Sequence, residues 1–428
     1  MSSLSPPAQS EIRRLMVFFG LVYFAQGLGQ AGGLINQPLM NYLKASGLTS
    51  DQVAQLLGVL TIPWIIKPLY GLISDLVPLL GYRRKSYLFL MNGLAAAGFL
   101  WLTGLLTPEW IVAAMVLTAL GIASSDVLVD ALMVERGQQT GQIKRFQSQQ
   151  WMWFNIAAIM TGILGGWLSE TLTPAGALHT AALITACAPA AVVVATAFLV
   201  REEKTAIDLV QFKASTGSLI SALKSKTLWI VAGFLAFWNF SPSFGTPMYY
   251  HMVDNLKFDQ YFIGQLGSVS SVGSVIGAFV FKRFLGGRFS TTALVYQSIL
   301  LGAISTVAYL FLMDRQSAVI LSFATGLIGM VPFLTMLSLA AAACPPHAEG
   351  FTFAGLMSIF NGASQVSAIW GAHLYEHVLD KQMAPLIWIS TAFTLAAFFL
   401  VPFLPTQDGP APASGGEPDG MGEYHPNG

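Results

Sequence analysis

Long apolar stretches alternate with short polar ones along the whole chain, and this alternation predicts membrane-spanning helices. A helix needs about 20 predominantly apolar residues to cross a bilayer. Twelve stretches meet this condition, at 15–36, 52–74, 86–106, 109–134, 146–168, 176–200, 227–250, 260–282, 290–312, 317–343, 350–374 and 384–404. Glycine and proline occur inside several of them, which spanning helices tolerate because neighbouring helices satisfy the freed backbone groups. We therefore predict an all-α membrane protein with twelve transmembrane helices.

The composition agrees with this class and excludes others. Of 428 residues, 54% are hydrophobic and only 10% are charged, whereas about 25% are charged in soluble domains. The 21 basic and 21 acidic residues cancel, so we expect no basic face for nucleic acid. The two cysteines, Cys187 and Cys344, suit neither a disulfide framework nor a zinc spacing. Without a P-loop, HExxH or GxSxG motif, we expect no enzyme activity, no cofactor and no metal.

The distribution of lysine and arginine predicts the orientation in the membrane. Four basic residues fall in the loops opposite the N-terminus, and Lys67 lies inside a predicted helix. Sixteen share the side of the N-terminus: Arg13, Arg14, Arg83, Arg84, Lys85, Arg136, Lys144, Arg145, Arg201, Lys204, Lys213, Lys224, Lys226, Lys282, Arg283 and Arg288. Because cytoplasmic loops are enriched in Lys and Arg, we expect both termini to be cytoplasmic. The first apolar stretch is then a helix rather than a cleaved signal peptide.

The chain also divides into two halves that echo each other. After the first helix come Pro38 and Asp51, and after the seventh come Pro247 and Asp259, at almost the same spacing. Two six-helix halves in parallel orientation are the arrangement of the major facilitator fold, in which substrate binds between them at mid-membrane. The predicted organisation is a cytoplasmic N-terminus at 1–14, half-bundles at 15–200 and 227–404, a central cytoplasmic loop at 201–226 and a disordered tail at 405–428.

Ionisable residues inside the predicted helices are candidates for function, since each costs about 2.5–3.5 kcal/mol to insert at a helix centre. Lys67 belongs to the second helix, and Asp126 and Asp130 lie four residues apart on the fourth, hence on one face. The rise per residue puts Lys67 at the depth of Asp126. A pair of Lys67 with either aspartate is a proton-coupling site or a fixed structural brace.

Five further charged residues lie at the predicted cytoplasmic ends of helices two and four: Asp75, Arg83, Arg84, Glu135 and Arg136. Asp75 and Glu135 are expected to end their helices next to loops that carry the arginines. We expect a structural or gating charge network there rather than contact with substrate.

Amide and aromatic side chains recur at helical spacing on helices one, five, seven and eleven, and the stripe on helix eleven continues to His373. Such groups suit a planar, hydrogen-bonding, partly apolar solute. They equally suit hydrogen bonds between helices, or tryptophan anchors at the membrane interface. With Trp64 on helix two, the substrate-binding candidates are Gln26, Gln30, Trp64, Gln150, Trp151, Trp238, Asn239, Asn361 and Gln365.

Two segments carry a resemblance to a known family. The sequence PWIIKPLYG at 63–71, continuing to Asp75 and the Gly81-Tyr82-Arg83-Arg84 loop, resembles the folate–biopterin transporter family of the major facilitator superfamily. This family includes the protozoan biopterin transporter. The sequence SDVLVDALMVER at 125–136 matches the same family. The loop after helix two departs from the general superfamily signature by the extra residues 76–80, and the resemblance runs from about residue 20 to 400.

The resemblance implies proton-linked transport of folates or pterins. We expect a monomeric, multi-pass symporter in the inner membrane of a prokaryote, with a small solute and protons as partners. The alternatives are a major facilitator permease for another cargo, such as a siderophore or a muropeptide, and a non-transporting receptor or scaffold on the same fold. The buried charges favour a transporter, because a scaffold gains nothing from burying Lys67, Asp126 and Asp130.

Overall fold

Helices make up most of the described chain. The computed structural model describes residues 6–30, 32–104, 107–205, 223–285, 288–344 and 349–405. Its α-helices, α1 to α16 in chain order, are Pro6–Gly29, Asn36–Ala45, Ser50–Val59, Ile62–Ile65, Lys67–Leu76, Lys85–Leu102, Pro108–Thr140, Ile143–Thr171, Pro174–Leu199, Lys226–Asn239, Gly245–Asp254, Gln260–Val280, Thr291–Ala308, Arg315–Ala342, Glu349–His377 and Met383–Ala396. A π-helical turn at Phe281–Leu285 extends α12, and 3-10 turns at Tyr309–Phe311 and Ala397–Phe403 extend α13 and α16.

Polar side chains fix where several of these helices begin. Thr173 precedes α9 and accepts a hydrogen bond from the backbone N–H of Gly176. Asp259 does the same for α12 and Ser290 for α13. A Ser, Thr or Asp at this position satisfies an N–H that has no partner inside the helix. These caps define the first residues of the helices, so each apolar stretch is helical from its first turn.

Two predicted helices are not continuous. The segment 52–74 forms three short helices, α3, α4 and α5, with Pro63 in the first turn of α4 and Pro68 in the first turn of α5. The segment 227–250 is divided into α10 and α11 around Pro242. Proline lacks a backbone N–H and its ring clashes with the preceding turn, so each break follows from the sequence. Both predicted segments are therefore helical but interrupted.

The first and fourth helices also differ from their predicted bounds. The predicted helix 15–36 starts earlier and ends at Gly29, and a separate helix, α2, follows. The predicted helix 109–134 continues to Thr140, so Glu135 lies within α7 rather than at its end. Gly141, with a φ of 65°, closes α7 in the left-handed conformation that glycine adopts without a steric penalty.

Seven helices of the described residues are long and apolar enough to cross a membrane: Pro108–Thr140, Arg145–Thr171, Pro174–Leu199, Gln260–Leu285, Thr291–Phe311, Arg315–Ala342 and Met383–Phe403. The other predicted spans include the interrupted ones, in which no single helix is long enough to cross. The total of twelve stays a prediction.

The helices form two groups that meet along two seams. Within α1–α9, α1 packs against α8 and α9, and α6 packs against α7 and α9. Within α10–α16, α14 packs against α12 and α13, and α10 packs against α15. Contacts of α12 with α8 and of α15 with α3 join the groups. The division of the chain at the central loop stays a prediction, because residues 206–222 lie outside the described residues.

We call the end of the bundle near the N-terminus the terminal end and the opposite end the distal end. The terminal end carries the start of α1, the loop before α6 and the segment after α9. The distal end carries the loops before α3, before α12 and after α15. Among the described residues, the hydrogen bonds between the two groups of helices lie at the distal end and in the adjoining half of the bundle, from Lys44–Asp254 to Thr61–Gln365.

Glycines let the backbones approach closely along the seam of α8 and α12. A Cβ atom added to Gly162 would lie 2.7 Å from the carbonyl oxygen of Gly264, and one added to Gly166 would lie 2.9 Å from the carbonyl oxygen of Gln260. Ser268 Oγ donates to the carbonyl oxygen of Ile159 at 2.8 Å in the same seam. Small residues of this kind are the usual means of packing helices in membranes.

We predict that Gly264→Ala destabilises the protein, because the added methyl group meets the backbone of α8. Forcing a methyl group into a packed contact costs about 1–3 kcal/mol. Gly267→Ala on the same helix is the matched control, since a Cβ there meets open space and alanine favours a helix over glycine. Thermal unfolding of the purified protein in detergent measures both variants. Equal melting temperatures for the two would contradict close packing at this seam.

Candidate functional site

A lysine–aspartate ion pair lies inside the first group of helices. Lys67 is the first residue of α5, and Asp126 lies midway along α7. Lys67 Nζ is 2.5 Å from Asp126 Oδ2, and the side chains are only 18% and 10% exposed. Of the two aspartates that the sequence offered, the structure pairs Asp126 with the lysine. The pair joins the interrupted second segment to the longest helix.

The break between α4 and α5 determines the position of the lysine. Lys67 Nζ lies over the Trp64 ring, 4.3 Å from its centroid, where the negative face of the ring attracts a cation. A cation at a helix N-terminus is otherwise unfavourable by about 0.3–1 kcal/mol. Asp126 and Trp64 together offset this cost, so Lys67 is held by a carboxylate on α7 and an aromatic face on α4.

The second aspartate has a different partner. The Tyr23 hydroxyl on α1 donates a hydrogen bond to Asp130 Oδ1. The Trp151 ring on α8 meets Tyr23 edge-on with their centroids 6.3 Å apart, and the neighbouring Gln150 is fully buried. Asp126 is thus held by Lys67, and Asp130, one turn further along α7, is held by Tyr23. Three predicted residues, Asp130, Gln150 and Trp151, come together through a tyrosine that was not among the candidates.

The sequence contains a signal for Tyr23. It precedes Gln26 by three residues, so both belong to the polar stripe of the first helix. Gln26 is itself buried, and its backbone oxygen accepts the N–H of Gln30 just beyond the end of α1. Only the packing of α1 against α7 and α8 reveals that the tyrosine holds an aspartate.

The remaining candidates have partners other than the ion pair. Gln365 on α15 accepts a hydrogen bond from Thr61 Oγ1 at 2.9 Å, which makes it a contact between the two groups of helices. Trp238 packs on an apolar cluster of the second group, and Asn239 Nδ2 donates to the carbonyl oxygen of Leu235 one turn back. Asn361 is half-buried on α15.

At the terminal end, one glutamate organises the loop that carries the predicted gate arginines. Glu202, just after α9, accepts backbone N–H hydrogen bonds from Arg83, Arg84 and Lys85 at 2.8–3.2 Å. These N–H groups open α6 and have no partners inside the helix. A carboxylate is also favourable beside a helix N-terminus. The sequence pattern does not reveal this role of Glu202, because Glu202 lies more than 110 residues from the loop along the chain.

The other predicted gate residues have local roles. Arg84 Nη1 donates to Ser74 Oγ at 2.5 Å and so ties the loop to α5. Arg136 donates to Gln139 Oε1 at 3.1 Å and to the backbone oxygen of Arg201 at 2.8 Å. Glu135 is exposed on α7. The side chain of Asp75 lies outside the described residues, so its predicted place in the network stays a prediction.

The distal end carries a second polar cluster that the sequence analysis did not predict. Lys44 Nζ lies 2.7 Å from Asp254, and the Tyr250 hydroxyl donates to the backbone oxygen of Leu48 at 2.6 Å. Ser50 Oγ donates to Glu376 at 2.9 Å. Each contact joins the first group of helices to the second.

Ion pairs and hydrogen bonds at the distal end shift the pKa values of two of its charged side chains. Lys381 Nζ lies 2.8 Å from Glu376. The hydrogen bond and the charge of Glu376 raise the pKa of Lys381. At the start of α12, burial alone raises the pKa of Asp259, but hydrogen bonds from the Phe262 N–H and from Arg315 outweigh it and leave the pKa below its ordinary value. These charged forms are therefore the stable ones at neutral pH.

A family model described as the BT1 family matches residues 26–406. The chain belongs to the BT1 family. The folate-biopterin transporter of Synechocystis sp. is 31% identical over 405 residues, which cover 90% of this chain and 79% of that protein. The probable folate-biopterin transporter 4 of Arabidopsis thaliana is 25% identical, with 83% and 87% covered. The predicted resemblance is confirmed.

Solved structures confirm the fold class of this BT1-family chain. A mutant of the nucleoside transporter NupG superposes with a TM-score of 0.72 at 14% identity, over 91% of this chain and 99% of that one. The D-xylose-proton symporter superposes with a TM-score of 0.66 at 12% identity, over 92% and 98%. The chain thus has the major facilitator fold. It is a multi-pass integral membrane transporter, and its relatives are transporters rather than enzymes.

We predict that Lys67 and Asp126 are coupled in stability. Lys67→Met leaves a carboxylate unpaired, and Asp126→Leu leaves an ammonium unpaired, whereas the double variant removes both charges. Each single variant should lower the melting temperature, and the double variant should recover part of the loss, with a coupling of about 0.5–3 kcal/mol. Thermal unfolding of the four proteins gives the cycle. Strictly additive effects would show that the pair contributes no mutual stabilisation.

We also predict that Glu202→Ala destabilises the terminal end, because three N–H groups at the start of α6 lose their acceptor. Loss of a helix cap costs about 0.5–2 kcal/mol. The neighbouring Glu203→Ala is the matched control, since Glu203 is exposed. Hydrogen exchange at residues 83–85, read by mass spectrometry, should accelerate in Glu202→Ala only. Unchanged exchange there would remove Glu202 from this role.

Proposed function

We propose that this BT1-family chain is a proton-coupled secondary transporter of folate- or pterin-like solutes that works by alternating access. The observation that carries the proposal is the pair of neighbouring carboxylates on α7, one held by a buried lysine and the other by a buried tyrosine. Ionisable groups at such positions are expensive and mark ion or proton pathways in transporters. The names of the relatives supply the solute class.

The proton step follows from the charges. Protonation of Asp126 leaves a neutral carboxyl that no longer balances the Lys67 ammonium, so the pair weakens and α5 is free to move relative to α7. Asp130, one turn away, accepts a proton without losing a cation, because its partner is the neutral Tyr23 hydroxyl. Either carboxylate can therefore carry the proton, but only protonation of Asp126 removes an ion pair between helices.

The chemistry around the carboxylates suits a flat heterocycle. Trp64 and Trp151 offer aromatic faces for stacking. Gln26 and Gln150 lie on the same helices as Tyr23 and Trp151 and carry amides that pair with ring nitrogens and carbonyls. Trp151 is 47% exposed although its helix packs inside the bundle. We assign these four side chains to the solute site in the first group of helices.

The interrupted helices support alternating access. The helices break off at corresponding places in the two halves, between α1 and α2 and between α10 and α11. Interruptions in corresponding places of two repeats point to the binding site of a transporter. Hydrogen bonds between the groups of helices lie toward the distal end, so we identify this arrangement with the state closed on that side.

The charges at the terminal end bear on the orientation of the protein in the membrane and on its gate. The bias of Lys and Arg supports a cytoplasmic terminal end. The proposed setting is a monomer in the inner membrane of a prokaryotic cell. The charges at this end, Asp75, Arg83, Arg84, Glu135 and Arg136, then form the cytoplasmic gate, which Glu202 braces through the backbone of the loop.

The experiment is uptake of labelled folate and labelled biopterin into proteoliposomes, with and without an inward proton gradient. Asp126→Asn should abolish gradient-driven accumulation while solute exchange at equal pH continues, because the amide keeps the size of the side chain but cannot take up a proton. Asp130→Asn and the double variant show which carboxylate is required. Asp380→Asn in the exposed distal loop is the matched control.

The outcomes separate the parts of the proposal. Uptake that ignores the pH gradient in the unaltered protein contradicts proton coupling. Full gradient-driven uptake in the double variant removes both aspartates from the coupling step. Transport of neither folate nor biopterin, in a protein that exchanges another solute, contradicts the solute class alone.

A further inference from the structure

Two histidines and an aspartate at the distal end bring metal-ligand atoms together. Asp51 opens α3, whereas His373 and His377 lie near the end of α15, so the three residues come from both groups of helices. Their ligand atoms all lie within 4.8 Å of one another. His377 Nε2 is 3.1 Å from Asp51 Oδ2, and the two imidazole rings are 4.7 Å apart between centroids.

The geometry points to a binding site for a divalent transition-metal ion of the zinc class, which bridges α3 and α15 through Asp51, His373 and His377. Two histidines four residues apart on one helix face are the arrangement that binds zinc in the HExxH motif. Imidazole nitrogen and carboxylate oxygen are both zinc ligands. Three protein ligands leave one position of the tetrahedron open to water.

The observed separation between two of these atoms already suits a metal. Zinc bonds to nitrogen and oxygen of about 2.0–2.2 Å put neighbouring ligand atoms of a tetrahedron roughly 3.3–3.5 Å apart. His377 Nε2 and Asp51 Oδ2 are close to this distance, so a metal can replace the proton that they share. His373 is exposed, and rotation of its ring brings the third nitrogen in.

The surroundings hold the ligands in place. Asp51 is buried, and Thr49 Oγ1 donates to its Oδ1 at 2.5 Å. Its Oδ2 faces His377 Nε2 at 3.1 Å and also accepts from Gln55 Nε2 at 3.4 Å. The Trp370 ring stacks against His373 with the centroids 6.0 Å apart. Partners that orient the ligands are typical of metal sites. Both histidines are exposed, so an ion can enter from the distal side without opening the bundle.

This site is independent of the solute proposed above. It differs from the Lys67–Asp126 region in both position and chemistry, and it needs no proton coupling. A bound ion would link the two groups of helices, because it joins one residue of the first group to two residues of the second. Binding therefore favours the arrangement in which the distal end is closed.

The test uses the full chain, freed of its affinity tag and washed with a chelator, in detergent. Added Zn²⁺ should raise the melting temperature in a saturable way, with one site per chain. Co²⁺ should give the intense visible absorption of a tetrahedral complex. Removal of His373 or His377 by alanine should weaken zinc binding by at least about tenfold, the size of effect seen when even outer partners are lost. His179→Ala is the matched control, an exposed histidine elsewhere.

The bridge across the groups is tested by Asp51→Asn, which replaces the carboxylate with a neutral amide of the same size. Its zinc affinity should also fall by at least about tenfold, and the Co²⁺ spectrum should lose its tetrahedral intensity. His373→Gln and His377→Gln replace the alanine variants if those fail to fold. Zinc affinity that is unchanged in the aspartate and histidine variants, or the lack of any zinc-dependent shift in the parent protein, overturns the proposal.

Discussion

The cost of placing charge inside a membrane protein governs the interior of this molecule. Lys67 lies where water is scarce, and the structure surrounds its ammonium with the Asp126 carboxylate and the Trp64 ring. That requirement fixes how α4 and α5 sit against α7, and the prolines that interrupt the second segment bring Lys67 to this position. Removing either charge leaves the other buried without a partner, which is the expensive outcome.

The two ends of the bundle are held by different physical means. At the distal end and in the half next to it, the two groups of helices are joined by side-chain hydrogen bonds, an ion pair and the glycine seam of α8 and α12. At the terminal end, Glu202 and Arg136 join segments of the first group only. The alternating access proposed above needs the contacts at the distal end to be reversible, and exposed pairs of about 0–1 kcal/mol each meet that need.

The contacts that join the two groups at the distal end include the residues of the proposed metal site. The same stretch of α15 supplies Glu376 to Ser50 and His377 to Asp51. Several weak contacts there hold the two groups of helices together. One bound ion of high affinity would therefore stabilise the joined arrangement as a whole. Equilibria between conformations shift tenfold for each 1.4 kcal/mol of differential binding, and a metal that binds only the joined form supplies such a difference.

The helical membrane class, the family and the three charges inside the helices can all be read from the sequence alone. Each follows from apolar stretches of bilayer length, two specific motifs and the rarity of charge inside them. Only the three-dimensional structure shows which aspartate meets Lys67. Asp126 and Asp130 lie on one face of α7, and the sequence does not give the orientation of α7 relative to α5. The three-dimensional structure also decided the roles of Tyr23, Glu202 and the Asp51–His377 contact, whose partners lie more than 100 residues away along the chain. Spacing along a helix predicts neighbours on that helix, whereas partners on distant helices depend on how the helices pack.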